Sequence, residues 1–120
     1  MMNLTANYPP TQEIDLSYNQ LTGTIPETLF GPATVAPFAP TINLKVFNLR
    51  YNAITGGIPT RVARAASLVS FLIGGNNMTG VVDKSLGPFL DARKYCDMSG
   101  NHWGCPLPTG VAAKCQAVCQ

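Results

Sequence analysis

The chain has 120 residues, enough for one domain with little left for a second. Its 46% hydrophobic content and mean hydropathy of +0.12 argue against wholesale disorder, and a net charge of +2, with Arg93-Lys94 the only basic cluster, argues against nucleic-acid binding driven by phosphate neutralisation. No apolar run approaches the roughly 18 residues of a membrane span, and the longest candidate, Leu68 to Gly75, is broken by Ser and Gly.

Residues 1–10 read as an irregular segment with neither the charged nor the apolar stretch of a leader, and they carry the sequon Asn3-Leu-Thr. From Ile14 onward one pattern recurs four times. The copies are Ile14-Asp-Leu-Ser-Tyr-Asn-Gln-Leu-Thr-Gly-Thr-Ile-Pro26, Phe47-Asn-Leu-Arg-Tyr-Asn-Ala-Ile-Thr-Gly-Gly-Ile-Pro59, Phe71-Leu-Ile-Gly-Gly-Asn-Asn-Met-Thr-Gly-Val-Val-Asp83 and Cys96-Asp-Met-Ser-Gly-Asn-His-Trp-Gly-Cys-Pro-Leu-Pro108. They superimpose without gaps.

Each copy opens apolar, variable, apolar, the period of a short strand with one buried face. The first buried column is Ile14, Phe47, Phe71, Cys96, and the second is Leu16, Leu49, Ile73, Met98. A later apolar column holds Leu21, Ile54, Met78 and Trp103, in which Trp103 closes the end of the core. Between them stands an Asn in every copy: Asn19, Asn52, Asn76, Asn101. A coil that turns inward at its strand end buries backbone N–H and C=O groups, and a side-chain amide offers both donors and an acceptor, so these four residues are expected to form a buried ladder. The intervals between them are 33, 24 and 25. The first is long because of the insertion 31–41, Gly-Pro-Ala-Thr-Val-Ala-Pro-Phe-Ala-Pro-Thr, whose prolines predict an extended loop bulging from one coil.

After the last copy, Gly110 to Cys119 is rich in Ala, Val and Lys and predicts a short helix with Cys115 and Cys119 at i and i+4 on one face. With Cys96 and Cys105 these cysteines read as a disulfide-stapled terminus. Their spacings and a single His, His102, argue against a metal site. The expected pairing joins each helical cysteine to one coil cysteine, although four cysteines allow three connectivities. Disulfides imply an oxidising compartment, so either an export signal lies upstream of this chain or the compartment is not an oxidising one.

Leu16 to Pro26, and again Leu49 to Pro59, resemble the plant-type leucine-rich repeat, Leu-x-Leu-Ser-x-Asn-x-Leu-Thr-Gly-x-Ile-Pro. The third copy is degenerate, with Val82-Asp83 in place of Ile-Pro, and the fourth carries cysteines. The resemblance implies an α/β repeat fold: a right-handed solenoid with short parallel strands on the concave face, irregular or 3-10 turns on the convex face and a Cys-rich cap. It divides the chain into the irregular segment 1–10, four repeats over 11–108 and the cap 109–120. Proteins of this type usually open with a paired-cysteine cap that is missing before Ile14, so the chain is expected to be either the C-terminal part of a longer extracellular solenoid or a decayed or mispredicted short gene product. Membership of the class implies a non-catalytic scaffold, secreted or displayed at the cell surface, that binds a protein or peptide and needs no cofactor. The alternatives are an inhibitor of a secreted wall-degrading enzyme and a structural C-terminal cap of a receptor-like ectodomain.

Same-column residues of neighbouring coils form a continuous surface because parallel strands lie about 4.8 Å apart. The candidate ligand-binding residues on that concave surface are Asp15, Ser17, Tyr18, Asn48, Arg50, Tyr51, Leu72 and Asp97, with Tyr18 and Tyr51 stacked and Arg50 beside them, because Tyr and Arg dominate binding hot spots. Asp15 and Asp97 fall three coils apart, about 14 Å by strand spacing, too far for a pair of glycosidase carboxylates. His102 is expected on an exposed turn without a catalytic partner. Asn77-Met-Thr is a second sequon, and Asn77 is expected to point outward as a glycan acceptor.

Overall fold

The computed structural model describes residues 12–30 and 43–120. The segment 1–10 with its Asn3 sequon, and the insertion 31–41, lie outside the described residues.

Each coil contributes a three-residue strand: β1 (Glu13–Asp15), β2 (Val46–Asn48), β3 (Ser70–Leu72) and, after β4 (Thr79–Val81), β5 (Tyr95–Asp97). Strands β1, β2, β3 and β5 pair in parallel in that order, in a register that aligns Ile14, Phe47, Phe71 and Cys96. Alternation sends this central residue of each strand inward. Phe47 and Phe71 are fully buried with rings stacked at 5.9 Å, and Phe30 meets Phe47 edge-on at 5.8 Å. Leu49, Ile73 and Met98 form the next buried layer, followed by Ile54, Met78 and Trp103.

The return path is made of 3-10 turns, Glu27–Phe30, Thr60–Arg64 and Lys84–Leu86, the last running into the short helix α1 (Gly87–Asp91). Asp83 caps the third turn by accepting the Ser85 amide at 2.9 Å. Arg93 fastens this side between coils: its guanidinium lies 4.3 Å over the Phe89 ring and donates to the carbonyls of Phe89 and Leu68.

The strand-exit side forms a second sheet, which the sequence reading left as turn. Here β4 pairs in parallel with β6 (His102–Gly104), so His102 begins a strand opposite Thr79 and is exposed there. The same ladder runs back through the earlier coils as single hydrogen bonds, Thr79 N–H to Gly56 and Thr55 N–H to Gly23. The thin period-2 signal of Thr-Gly-Val and His-Trp-Gly hides these strands, because paired backbones rather than side chains hold them.

In the cap, α2 spans only Val111–Lys114, shorter than the helix expected over Gly110 to Cys119. Gln116, at φ 55°, turns the chain out of the helix, so Cys115 and Cys119 do not share a helical face. Two bridges form, Cys96–Cys115 and Cys105–Cys119, and their ends lie on different parts of the last coil. A continuous helix cannot reach both. Leaving it lets Cys119 run beside Trp103, where it makes a parallel bridge and the Gln120 amide donates to the Trp103 carbonyl at 2.8 Å. The cap thereby supplies what a fifth coil would: Ile73 N–H donates to Asp97, and one coil later Met98 N–H donates to Cys115.

Candidate recognition surface

Beside the inward column of the concave sheet runs the outward column Asp15, Asn48, Leu72, Asp97, in register across the four coils. Three of its members use their side-chain oxygen locally. Asp15 accepts from the Ser17 amide and hydroxyl (3.1 and 2.7 Å), Asn48 from the Arg50 amide (3.1 Å), and Asp97 from the Ser99 amide and hydroxyl (3.0 and 2.6 Å). The Ser17 bonds hold the Asp15 carboxyl below its ordinary range. These side chains shape the strand exit.

The sequence reading takes Arg50 and Asp97 as separate contact residues, and the structure joins them. Arg50 Nε lies 2.8 Å from Asp97 Oδ2, reaching over the third coil. Burial works against the charge on Asp97, but the Ser99 hydroxyl and amide and the Arg50 guanidinium outweigh it and hold the carboxyl low.

Three residues past this column the backbone enters the left-handed region in every coil: Tyr18 (φ 58°), Tyr51 (φ 59°), Gly75 (φ 71°) and Gly100 (φ 65°), the first and last of these following Ser17 and Ser99 directly. Glycine suits this geometry, whereas a bulky side chain there is strained. Tyr18 and Tyr51 nevertheless occupy it, their rings stacked with centroids 4.7 Å apart at 26°. A Cβ at Gly75 would come within 2.6 Å of the Tyr51 ring, so the glycine leaves room for it. The rings are 76% and 51% exposed, the opposite of what a core filler shows.

The asparagines set this surface from behind. Asn52, Asn76 and Asn101 each donate to the preceding coil's carbonyl, of Leu16, Leu49 and Ile73 at 2.9, 2.9 and 3.0 Å. Each accepts in turn from an amide of that coil, of Leu21, Ile54 and Met78 at 3.0, 3.1 and 2.9 Å. Burial grades along the series: Asn76 and Asn101 are buried and Asn52 half-buried. Asn19 is exposed, in contrast to the buried position expected for it, and among the described residues it bonds only to Leu16 and Ser17 of its own coil. The bonds run backward along the solenoid, and no coil precedes Asn19 among the described residues. Asn77, next to a buried ladder residue, is exposed.

Sequence reasoning missed Lys94 and Lys114, and put Tyr95 on the concave face without counting it a contact residue. Together with Arg50, Leu72 and Asp97 they line a shallow pocket of about 290 Å³ at the β5 end of the concave face. Lys114 comes from the cap, outside the repeat, so no column pattern points to it. Among the described residues no group of three or more His, Cys, Asp or Glu is placed to hold a metal ion, and no helix is long and apolar enough to cross a membrane.

Short parallel strands, an asparagine ladder, 3-10 returns and a cystine cap define a leucine-rich repeat solenoid. The leucine-rich repeat family model matches residues 11–31 and 43–64. Similar solved structures include a chain of the BIR3–SERK2 complex from Arabidopsis thaliana, at 26% identity and TM-score 0.70, covering 85% of this chain and 50% of that one. They also include the plant peptide hormone receptor RGFR1 in complex with RGF2, at 28% identity and TM-score 0.67, covering 91% of this chain and 16% of that one. The ectodomain of the Arabidopsis thaliana receptor kinase HAESA, in complex with an extended IDA peptide hormone, matches at 29% identity and TM-score 0.64, covering 84% of this chain and 15% of that one. This chain therefore spans half or less of each of these neighbours. No curated protein sequence matches it. The chain has the leucine-rich repeat fold and is similar to these plant receptor ectodomains.

Proposed function

We propose that the chain is a non-catalytic recognition module, the C-terminal part of an extracellular leucine-rich repeat domain, that binds a peptide or protein segment on its concave face. The observation that carries this reading is the exposed Tyr18–Tyr51 stack, kept on left-handed backbone that the later coils give to glycine. Strain retained at an exposed aromatic pair points to use of that pair. The complexes of RGFR1 and HAESA with peptide hormones support the same class of ligand. An inhibitor of a wall-degrading enzyme would use an acidic concave patch; Asp97 is already neutralised by Arg50, which leaves Glu13 and Asp15. Export through an oxidising compartment accords with both disulfides, and Asn77 is the proposed glycan acceptor in the described chain.

The test is selection of peptides from a displayed random library on the wild-type protein, followed by affinity measurement on the double variant Tyr18→Gly/Tyr51→Gly. Glycine keeps the left-handed backbone and removes only the rings. The selected peptides should lose at least about tenfold in affinity. Unchanged binding would refute the aromatic patch.

A further inference from the structure

We infer that the pocket at the β5 end of the concave face binds the carboxylate of an acidic peptide, through Arg50, Lys94 and Lys114. This rests on the reading of the concave face as a peptide-binding surface and names the chemistry of its distal end.

The charges on the two ends of the face are opposite. At the β1 end stand Glu13 and Asp15; at the β5 end stand Lys94, from the loop before the strand, Lys114, from the cap, and Arg50, from two coils back. Asp97 is the acid in the pocket, and its oxygens are committed to Ser99 and to Arg50 Nε. The terminal nitrogens of Arg50 make no hydrogen bond among the described residues, and neither lysine has a carboxylate within ion-pair range there. Three cations with free donors therefore face one pocket with a single satisfied anion. Arg50 is held by Asp97 at Nε alone, so its outward edge is oriented and available for a carboxylate.

The walls narrow the ligand. Leu72 and the Tyr95 ring, with Lys94 Nζ 5.5 Å above it, supply apolar surface beside the charges. An acidic residue flanked by an apolar one matches that mixture. With a net charge of +2 for the whole chain, attraction is confined to this end and favours a short anionic segment over a polyanion.

The probe is a C-terminally amidated hexaglutamate peptide carrying an uncharged fluorophore, with amidated hexaglutamine carrying the same fluorophore as its neutral match, followed by fluorescence anisotropy on the disulfide-intact protein. Hexaglutamate should bind and hexaglutamine should not, and Lys94→Gln/Lys114→Gln should weaken binding about tenfold. Lys45→Gln/Lys84→Gln removes the same net charge away from the pocket and should leave the affinity unchanged. Equal loss in both double variants, or equal binding of the two peptides, overturns the proposal. So does displacement of hexaglutamate by an equal concentration of inorganic phosphate, which would make this a simple anion site. The Tyr18→Gly/Tyr51→Gly variant separates the two readings: if it binds hexaglutamate normally while library-selected peptides also bind it unchanged, the aromatic patch fails and the pocket stands.

Discussion

A Cβ at Gly74 would lie 2.7 Å from both carboxylate oxygens of Asp97. The absence of a side chain in the third coil is what lets Asp97 lean across to Arg50. Gly74 does not occupy the left-handed region, so its requirement is one of space alone. Gly74→Ala should therefore break an ion pair to which it does not belong, at a cost of about 1–2 kcal/mol by urea denaturation. In an Arg50→Gln background, where Asp97 is free to swing aside, the same substitution should cost less. Strict additivity of the two would show that the glycine and the pair are independent.

The acid limb of stability follows from the same carboxylate. Its folded pKa lies below the unfolded value of about 3.9. The stabilisation is then fully present above that value and is lost as pH falls through the lower, folded one. Asp15 and Asp83, lowered by bonds from Ser17 and Ser85, act in the same window. Asp97→Asn should flatten the decline in denaturation midpoint below about pH 4 and leave the slope between pH 5 and 7 unchanged. An acid limb as steep as the wild type's would mean that the carboxylate is not differentially stabilised on folding.

How much of this was legible beforehand depends on whether side chains or backbone carry the feature. The inward columns, the asparagine positions and the cystine cap are written in residue types at fixed spacing, and the gapless copies locate them. The β4–β6 sheet is a backbone ladder through Thr79–Val81 and His102–Gly104, with little periodicity to announce it. The exit of the cap from its helix at Gln116 depends on where Cys105 sits in space, which no local pattern contains. The Arg50–Asp97 pair escaped notice because its partners are separated by a whole coil, and the space between them is set by Gly74, a residue that reads as filler.

The ladder predicts a gradient of cost along the solenoid. Asn76→Leu removes donors to Leu49 and Ile73 and leaves the buried Ile54 amide without its acceptor. The loss should be about 2–4 kcal/mol. Asn19→Leu removes only exposed bonds within one coil and should cost under about 1 kcal/mol. Guanidinium titrations of the two variants decide this, and equal losses would mean that the bonds between coils contribute nothing beyond the local turn.

The two bridges should fail differently. They enclose similar separations, 19 and 14 residues, so the loss of either should cost about 3 kcal/mol on loop entropy. The second also holds the strand that lies over the single tryptophan, Trp103, which is 1% exposed. Cys105→Ala/Cys119→Ala should shift native tryptophan emission to longer wavelength, whereas Cys96→Ala/Cys115→Ala, at matched temperature and below its denaturation midpoint, should shift it less. A blue, unchanged spectrum in the first variant would show that the ladder covers Trp103 without the bridge.

Tyr18 offers the clearest separation of stability from recognition. Its left-handed backbone costs a bulky residue on the order of 1 kcal/mol, and stacking on Tyr51 returns about 0.5–1.5 kcal/mol. With the ring 76% exposed, little burial is added to either side. Tyr18→Gly removes both terms and should leave stability within about 1 kcal/mol of the wild type. Tyr18→Val keeps the strain, worsens it by β-branching and loses the stack, so it should destabilise by about 1–2 kcal/mol. Thermal denaturation ranks the three proteins. A stability for Tyr18→Gly well below that of Tyr18→Val would mean that the aromatic pair is part of the fold's support, and the strain argument for a recognition role would lose its footing.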